Sequence, residues 1–158
     1  MDFVALATSP NAPATARRHV RVECAAHGVS ASMTDTAVLL TSEIVTNAVL
    51  HGGGDMRLGA SALATHVRVE VMDGSRQHPT LRRLALAADG MALPADESTT
   101  LLAEGGRGIA LVNSLADHWG AVDAQPGKCV WFELGASPFI PQEAPLIGAI
   151  PAHDAPAA

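Results

Sequence analysis

Apolar residues in the first part of the chain follow two different periods. A short apolar run, FVALATSP, begins at residue 3 and ends at Ser and Pro, which predicts a first strand. Residues 11–27 predict a helix that ends at Gly28, since a glycine is a common helix stop. The apolar residues expected on its buried side lie near helical spacing at Ala16, Val20 and Ala25.

A second predicted helix follows directly. Ser32 or Thr34 is expected to cap its amino terminus, because a hydroxyl can accept a hydrogen bond from a free backbone N–H. Apolar residues continue at helical spacing up to the glycines at residues 52–54, where the helix is expected to end.

The second half of the chain is mainly strand-like. DMRLGASAL and THVRVEVMD predict two strands, and in the second every other residue is Val, which indicates one core-facing side. Residues 74–104 predict a long loop with one or two helical turns in LRRLALAA. GGRGIALVNSLADHW predicts a helix after glycines, and WGAVDA and KCVWFEL predict a final hairpin joined through Pro126 and Gly127.

This order of elements predicts an α+β fold. It lacks the regular strand–helix alternation of a doubly wound parallel sheet, so we expect a two-layer α/β sandwich with a mixed, mainly antiparallel sheet and helices on one face. Residues 1–136 are predicted to form one domain, and the Pro- and Ala-rich residues 137–158 a flexible tail.

Composition narrows the classes of function. Hydrophobic residues make up 48% of the chain and the net charge is -6, which argues against nucleic acid as a direct partner. Cys24 and Cys129 are too far apart for a CxxC element and are interpreted as free thiols in a reducing cytosol. The chain shows neither a secretory signal nor an apolar run of about 18 residues, so we expect a cytoplasmic protein without a membrane span.

One stripe of the second helix carries polar chemistry. Glu43, Asn47 and His51 are four residues apart, so at about 100° per residue their side chains share one side. An acid beside an amide offers the oxygen ligands that Mg²⁺ accepts together with nucleotide phosphates. The alternative from these residues alone is an ordinary solvent-facing stripe.

Two glycine segments add to this stripe. MDGS places Asp73 at a strand end, where its carboxylate could accept a hydrogen bond from a ligand amino group, although an Asp-Gly turn is the simpler interpretation. EGGRGIALV, residues 104–112, places glycines at a helix start, where backbone N–H groups can meet a phosphate or simply form a flexible loop.

Together the segments SEIVTNAVLHG, VMDG, GGRGIALV and GKCVWFEL resemble, in this order, the ATP-binding fold shared by DNA gyrase and histidine kinases. More narrowly, they are similar to the anti-sigma-factor serine/threonine kinases of bacteria. The resemblance covers about residues 8–135 and is specific as an ordered set, whereas each motif alone is weak.

The resemblance implies a role for each matching residue. Asn47 would hold Mg²⁺ against the nucleotide phosphates, and Glu43 would be the general base. Asp73, followed by Gly74, would accept a hydrogen bond from the adenine amino group and so select ATP over GTP. The second glycine segment would lie against the phosphates, through Gly106, Arg107 and Gly108. No role transfers to His51, for which a hydrogen bond at the helix end is expected.

The resemblance also implies partners. Members of this branch phosphorylate a serine of an anti-anti-sigma factor, alternately bind a sigma factor, and commonly form homodimers. Cys129 stands where the family commonly has a Thr that supports the adenine site, and a thiol is a weaker hydrogen-bonding group. The first glycine segment of the family also usually continues with a second glycine, whereas here Asp73 and Gly74 lead into SRQHP. Two alternatives to a kinase therefore stay open: a nucleotide-binding module that sequesters a partner without catalysis, and a nucleotide-free scaffold.

Overall fold

The computed structural model describes residues 1–79 and 107–135 of the 158-residue chain. The helical turns expected in LRRLALAA, the residues before Arg107 and the tail from residue 137 lie outside these ranges. The described elements are β1 (Phe3–Leu6), α1 (Ala12–Ala26), α2 (Ala31–His51), β2 (Met56–Leu63), β3 (His66–Asp73), α3 (Arg107–Leu115), β4 (His118–Asp123) and β5 (Lys128–Gly135).

The described strands form one five-stranded sheet in the order β1-β2-β3-β5-β4. Each described pairing is antiparallel, which confirms the expected α+β sandwich with a mainly antiparallel sheet. β3 lies at the centre, so its last residue is brought beside the first residue of β5. This meeting point of two strand ends is the base of the site described below.

The helices pack on one face of this sheet. β3 places Val67, Val69 and Val71 in the core, as its alternating pattern predicted. On the opposite face, Arg68 donates hydrogen bonds to Glu70 and Glu133 at 2.7 and 2.6 Å and stacks over a Trp ring of β5. None of the helices in the described part of the chain combines the length and the apolarity that a bilayer crossing requires.

The start of α2 differs from the prediction. Ser30, not Ser32 or Thr34, is the N-cap, and its Oγ accepts a hydrogen bond from Met33 N at 3.3 Å. Gly28 has a φ of +68°, a left-handed conformation that lets the chain leave α1 abruptly, so α2 begins earlier than the hydroxyl pattern alone suggested.

The buried face of α1 also differs at one position. Ala12, Ala16, Val20 and Cys24 form its buried stripe, whereas Ala25 is exposed. Residues four apart remain on one side of a helix, so Cys24, four after Val20, continues the stripe, and Ala25 has turned away from it. The Cys24 thiol is therefore a core side chain, and burial raises its pKa.

Candidate functional site

A cavity of about 180 Å³ lies between α2, the adjoining ends of β3 and β5, and the start of α3. Its aliphatic walls come from three helix and two strand side chains: Ile44, Ala48, Ile109, Val71 and Val130. Polar side chains converge on it from several elements, namely Asn47, His51, Asp73, Gln77, His78 and Lys128. Apolar walls with a few convergent polar groups are typical of a small-molecule site.

The polar stripe of α2 faces this region, as its spacing predicted. Asn47 and His51 line the cavity, and Glu43 lies one turn before Asn47, outside the cavity wall. The Asn47 Nδ2 atom is buried and has no hydrogen-bond partner among the described residues. Buried amides normally have partners, so an uncommitted one at a cavity wall indicates a place prepared for a ligand.

Glycine at position 108 brings α3 against this stripe. A Cβ atom at Gly108 would lie 2.6 Å from Glu43 Oε2 and 3.1 Å from Glu43 Cβ. It would also lie 3.5 Å from Asn47 Nδ2. The second glycine segment thus meets Glu43 and Asn47 of α2, the residues for which the resemblance implies roles at the phosphates.

Asp73 lines the cavity from the sheet. It is the last residue of β3, only 4% of it is exposed, and its Oδ1 accepts a hydrogen bond from Ser75 N at 2.8 Å. Its Oδ1 also accepts one from Lys128 Nζ at 2.9 Å. The expected Asp-Gly turn and a ligand-facing carboxylate therefore occur together at this residue.

Backbone packs closely around Asp73 because four neighbouring positions are glycines. A Cβ atom at Gly52, at the end of α2, would lie 3.2 Å from Asp73 Cβ, and one at Gly127 would collide with the Asp73 carbonyl oxygen. Gly74 N donates a hydrogen bond to Gly53 O at 2.6 Å. Asp73 is thus packed between the end of α2 and the β4–β5 turn.

Lys128 is a site residue that the sequence reading missed. It is the first residue of β5, on the same side as Val130, Phe132 and Leu134, and its side chain is 7% exposed. The sequence could have indicated this placement, because the alternation of apolar residues along β5 puts Lys128 on the core-facing side. What the alternation could not supply was the partner, Asp73 on β3.

The expectation that Cys129 lies at the adenine site is wrong, because its side chain does not line the cavity. Its side chain lies on the opposite face of the sheet from the cavity, where its sulfur is 3.8 Å from Glu70 Oε2. Successive residues of a strand point to opposite faces, so Lys128, and not Cys129, faces the cavity from this end of β5. Burial, followed by the charge and hydrogen bond of Glu70, raises the pKa of Cys129 to about 12.

The remaining expected residues are only partly described. Gly106 lies outside the described residues, and of Arg107 only the backbone, at the start of α3, is described. His51 is the last residue of α2 and has no hydrogen bond within the described ranges, so the expected helix-end bond stays a prediction. At the cavity mouth, the imidazole of His78 and the carboxylate of Asp123 are joined at 2.7 Å.

The donor set suits a metal that takes most of its ligands from elsewhere. The described residues contain no group of three or more His, Cys, Asp or Glu side chains placed to hold a metal ion. Mg²⁺ commonly uses one or two protein oxygens and completes its octahedron with waters and substrate phosphates. The side-chain oxygen of Asn47, with Glu43 one turn away, could supply such a ligand, whereas its unpartnered Nδ2 is a donor that suits a phosphate oxygen.

Comparison with known proteins gives one result that covers nearly the whole described chain. The model of a family described as a histidine kinase-like ATPase domain matches residues 6–134. None of the curated proteins matches the chain. The matched range runs from the last residue of β1 to β5 and contains every side chain that forms the cavity.

Proposed function

Because this chain belongs to the histidine kinase-like ATPase domain family, we propose that it is an ATP-dependent protein serine/threonine kinase of the anti-sigma-factor branch. Family membership itself implies ATP binding. The proposal adds the acceptor, a serine of an anti-anti-sigma factor, and a second partner, a sigma factor that the protein binds alternately in the cytoplasm. Transcription would then depend on which partner it holds.

The observation that carries this proposal is the shared cavity of Asn47 and Asp73. An unpartnered amide nitrogen on α2 and a buried carboxylate on β3 both line it, next to aliphatic walls that suit a purine ring. ATP has the matching order of groups, with a base that donates through its amino group and phosphates that need cations and donors. The cavity thus supports a nucleotide bound with its base at Asp73 and its phosphates near Asn47.

Transfer would join the serine oxygen to the γ-phosphorus while the bond from that phosphorus to the bridging oxygen breaks. ADP leaves with the electron pair of that bond, and the serine proton moves to the Glu43 carboxylate. Glu43 is suited to this role because it lies beside Gly108 at the start of α3, at the phosphate end of the cavity. Phosphoryl transfer of this kind depends mainly on positioning and charge stabilisation.

Magnesium is part of the proposal as a bound ion. Asn47 would hold it through its side-chain oxygen, with Glu43 close by, and it would neutralise charge on the phosphates. Asn47 lines the cavity together with the buried apolar residues Ile44 and Ala48 of the same helix.

Phosphotransfer to a partner tests this function. Radiolabelled ATP, the purified chain and a candidate anti-anti-sigma factor should give phosphoserine, and Glu43→Gln should reduce the rate by about a hundredfold or more while ATP still binds. Asp35→Asn is the matched control, because Asp35 is an exposed carboxylate on the same helix. Full transfer by Glu43→Gln would refute Glu43 as the base.

A nucleotide-binding module without catalysis is the second candidate. Its sequence support was the replacement at Cys129 and the shortened first glycine segment. The Cys129 sulfur faces away from the cavity, so of these two features only the glycine segment still supports it. The pairing of Asp73 with Lys128 is the observation that still favours it, because a salt bridge already engages the base-recognising carboxylate. Calorimetry with Mg-ATP, together with the transfer assay, distinguishes these hypotheses. Binding of ATP without transfer indicates the non-catalytic module, and undetectable binding at millimolar ATP indicates a nucleotide-free scaffold.

The partners need a separate experiment. A pull-down of the tagged chain from its native cytoplasm, with and without ATP, should exchange one bound protein for another. A partner set that is identical under both conditions would contradict partner switching and leave ATP binding untouched.

A further inference from the structure

Lys128 occupies a position that rarely suits a lysine. It is the only lysine in the chain, it points toward the helices from the first position of β5, and its side chain is 7% exposed. A buried ammonium is costly unless it is paired and hydrogen-bonded, and lysines are seldom fully buried otherwise. A lysine at this buried position therefore suggests that its positive charge has a function.

Asp73 satisfies only part of that ammonium. The two residues are direct partners in the β3–β5 ladder, and Nζ donates to Asp73 Oδ1 at 2.9 Å. Among the residues that the structure describes, Asp73 is the one acceptor bonded to this ammonium, which has three N–H donors. Both side chains line the cavity.

Asp73 likewise has an oxygen to spare. Its Oδ1 receives both described hydrogen bonds, from Ser75 N and from Lys128 Nζ, whereas Oδ2 receives none within the described residues. The pair thus offers the cavity an acceptor and a charged donor side by side. The edge of adenine carries the complementary pair, an amino group at position 6 next to an acceptor nitrogen at position 1.

We propose that Lys128 is a second base-reading residue, whose ammonium donates a hydrogen bond to N1 of adenine while Asp73 accepts one from the amino group. This inference rests on the proposed ATP site and adds a specificity-determining residue to it. Guanine and hypoxanthine carry a keto oxygen at position 6 and an N–H at position 1, so they present the reverse pattern to the same two side chains. Lys128 thereby reinforces the selection that Asp73 alone would make.

A purely structural role makes a different prediction. A buried ion pair that only joins the end of β3 to β5 would hold Asp73 in place without contacting the base. In that case the affinity for the nucleotide would not depend on the atom at ring position 1. The atom at that position is therefore the variable to change.

Calorimetry of the full chain with Mg-ATP and with Mg-1-deaza-ATP, in which C–H replaces N1, tests the proposal. The wild-type chain should bind 1-deaza-ATP about tenfold or more weakly than ATP, since hydrogen bonds from charged donors are worth that much. In Lys128→Met the two nucleotides should bind equally. Arg57→Met, which removes an exposed cation on the same sheet, should keep the wild-type ratio.

Three results would overturn it. Equal wild-type binding of the two nucleotides would exclude contact with N1 while leaving ATP binding intact. Persisting discrimination in Lys128→Met would assign N1 to another donor. Undetectable wild-type binding of ATP would instead remove the proposed function together with this inference, so the two failures are distinguishable.

A second measurement does not depend on the folding of Lys128→Met. Since the chain has one lysine, an amine-reactive reagent followed by mass spectrometry reports on that ε-amino group alone, apart from the amino terminus. ATP should slow modification of Lys128 more than 1-deaza-ATP does when both are saturating. Equal protection by the two saturating ligands would contradict a direct hydrogen bond to N1.

Discussion

Asn47 and Asn113 are two asparagines with opposite hydrogen-bonding states. The Asn113 Oδ1 accepts a hydrogen bond from Trp119 Nε1 at 3.2 Å, so this amide has a structural partner. The Nδ2 of Asn47 is buried with no partner among the described residues. An unsatisfied buried group destabilises the fold, so its presence at the cavity wall is consistent with a role in binding.

Asn47→Ala should therefore separate binding from stability. We expect its free energy of unfolding without ligand to stay within about 0.5 kcal/mol of wild type, because no described hydrogen bond is removed. Stabilisation by Mg-ATP should be lost. Urea unfolding with and without Mg-ATP measures both quantities.

Asn113→Ala is the matched amide control and should show the reverse pattern. It should lower the free energy of unfolding by about 1 kcal/mol and leave stabilisation by Mg-ATP unchanged. A large loss of stability in Asn47→Ala without ligand would mean that Asn47 is a structural amide.

Cys129 predicts a pH dependence of stability. Its pKa is raised from 9.0 to about 12, first by burial and then by the charge and hydrogen bond of Glu70. An unfolded chain loses this thiol proton near pH 9 while the native chain keeps it, so the unfolded state gains relative stability as the pH rises between those values. This single group should lower the free energy of unfolding by up to ~1.4 kcal/mol per pH unit.

Cys129→Ser should consequently show a shallower loss of stability than wild type in urea unfolding between about pH 8 and about pH 10.5. Cys24, whose pKa is also raised by burial, keeps its own contribution of the same sign in both proteins. Identical slopes for the variant and the wild type would show that the Cys129 thiol ionises equally in the native and unfolded chains.

The start of α2 depends on one of several nearby hydroxyls. Ser30 Oγ accepts a hydrogen bond from Met33 N, and Ser30 has the extended backbone of an N-cap. Ser30→Ala should lower the free energy of unfolding by about 1 kcal/mol, because a helix N–H loses its partner. Ser32→Ala, inside the first turn, should cost less, and thermal unfolding of the two variants compares them. A larger loss for Ser32→Ala would contradict this assignment of the cap.

The contact between α2 and α3 depends on the absence of a side chain at position 108. In Gly108→Ala the new methyl group would press on Glu43 Oε2 and Cβ, so either α3 or Glu43 must move. We expect phosphotransfer to fall by about tenfold or more, since small displacements of a catalytic group are costly. Gly53→Ala is the matched control, because a Cβ there meets nothing within 4 Å. Normal transfer by Gly108→Ala would separate Glu43 from the chemistry.

Local patterns predicted the elements well and the contacts between them less well. The alternation in β3 placed its valines in the core, and the α2 spacing placed Asn47 at the cavity. The cap of α2 was missed by two residues, because its choice depends on the backbone of Gly28. Lys128 was missed because its partner is 55 residues away, and only the strand register brings them together.

The error at Cys129 has the same origin. A family motif matched to a strand from the sequence alone can be displaced by one position, and a displacement of one residue exchanges the two faces of a sheet. Asp73 pairs with Lys128 in the β3–β5 ladder, which shows that Lys128 faces the helices. Cys129, the next residue, therefore lies on the opposite face of the sheet. Sequence period determines which residues share a face, whereas register determines what they meet.

Binding of ATP should stabilise the entire fold because the cavity draws on elements from both halves of the chain. α2 and β3 come from the first half, and α3 and β5 from the second. Mg-ATP at about 100 times its dissociation constant should raise the free energy of unfolding by about 2.7 kcal/mol, which corresponds to roughly 5–10 °C in Tm. Differential scanning calorimetry measures the shift.

The controls for that measurement are EDTA and GTP. Chelation of magnesium should remove most of the shift, and GTP at the same concentration should give a smaller one. A shift of equal size with GTP would contradict base selection by the pair of Asp73 and Lys128. No shift with Mg-ATP would contradict nucleotide binding.

Because Gly52 packs against Asp73, the length of α2 fixes the distance between Asp73 and Glu43. A Cβ atom at Gly52, directly after this helix, would lie 3.2 Å from Asp73 Cβ. Glu43 lies nine positions before Gly52, about 13.5 Å away along the axis at 1.5 Å per residue. A straight helix keeps that length fixed, so a ligand must have a matching length to contact both Asp73 and Glu43. Molecules too short to reach both residues, such as free adenosine, would contact only one of them.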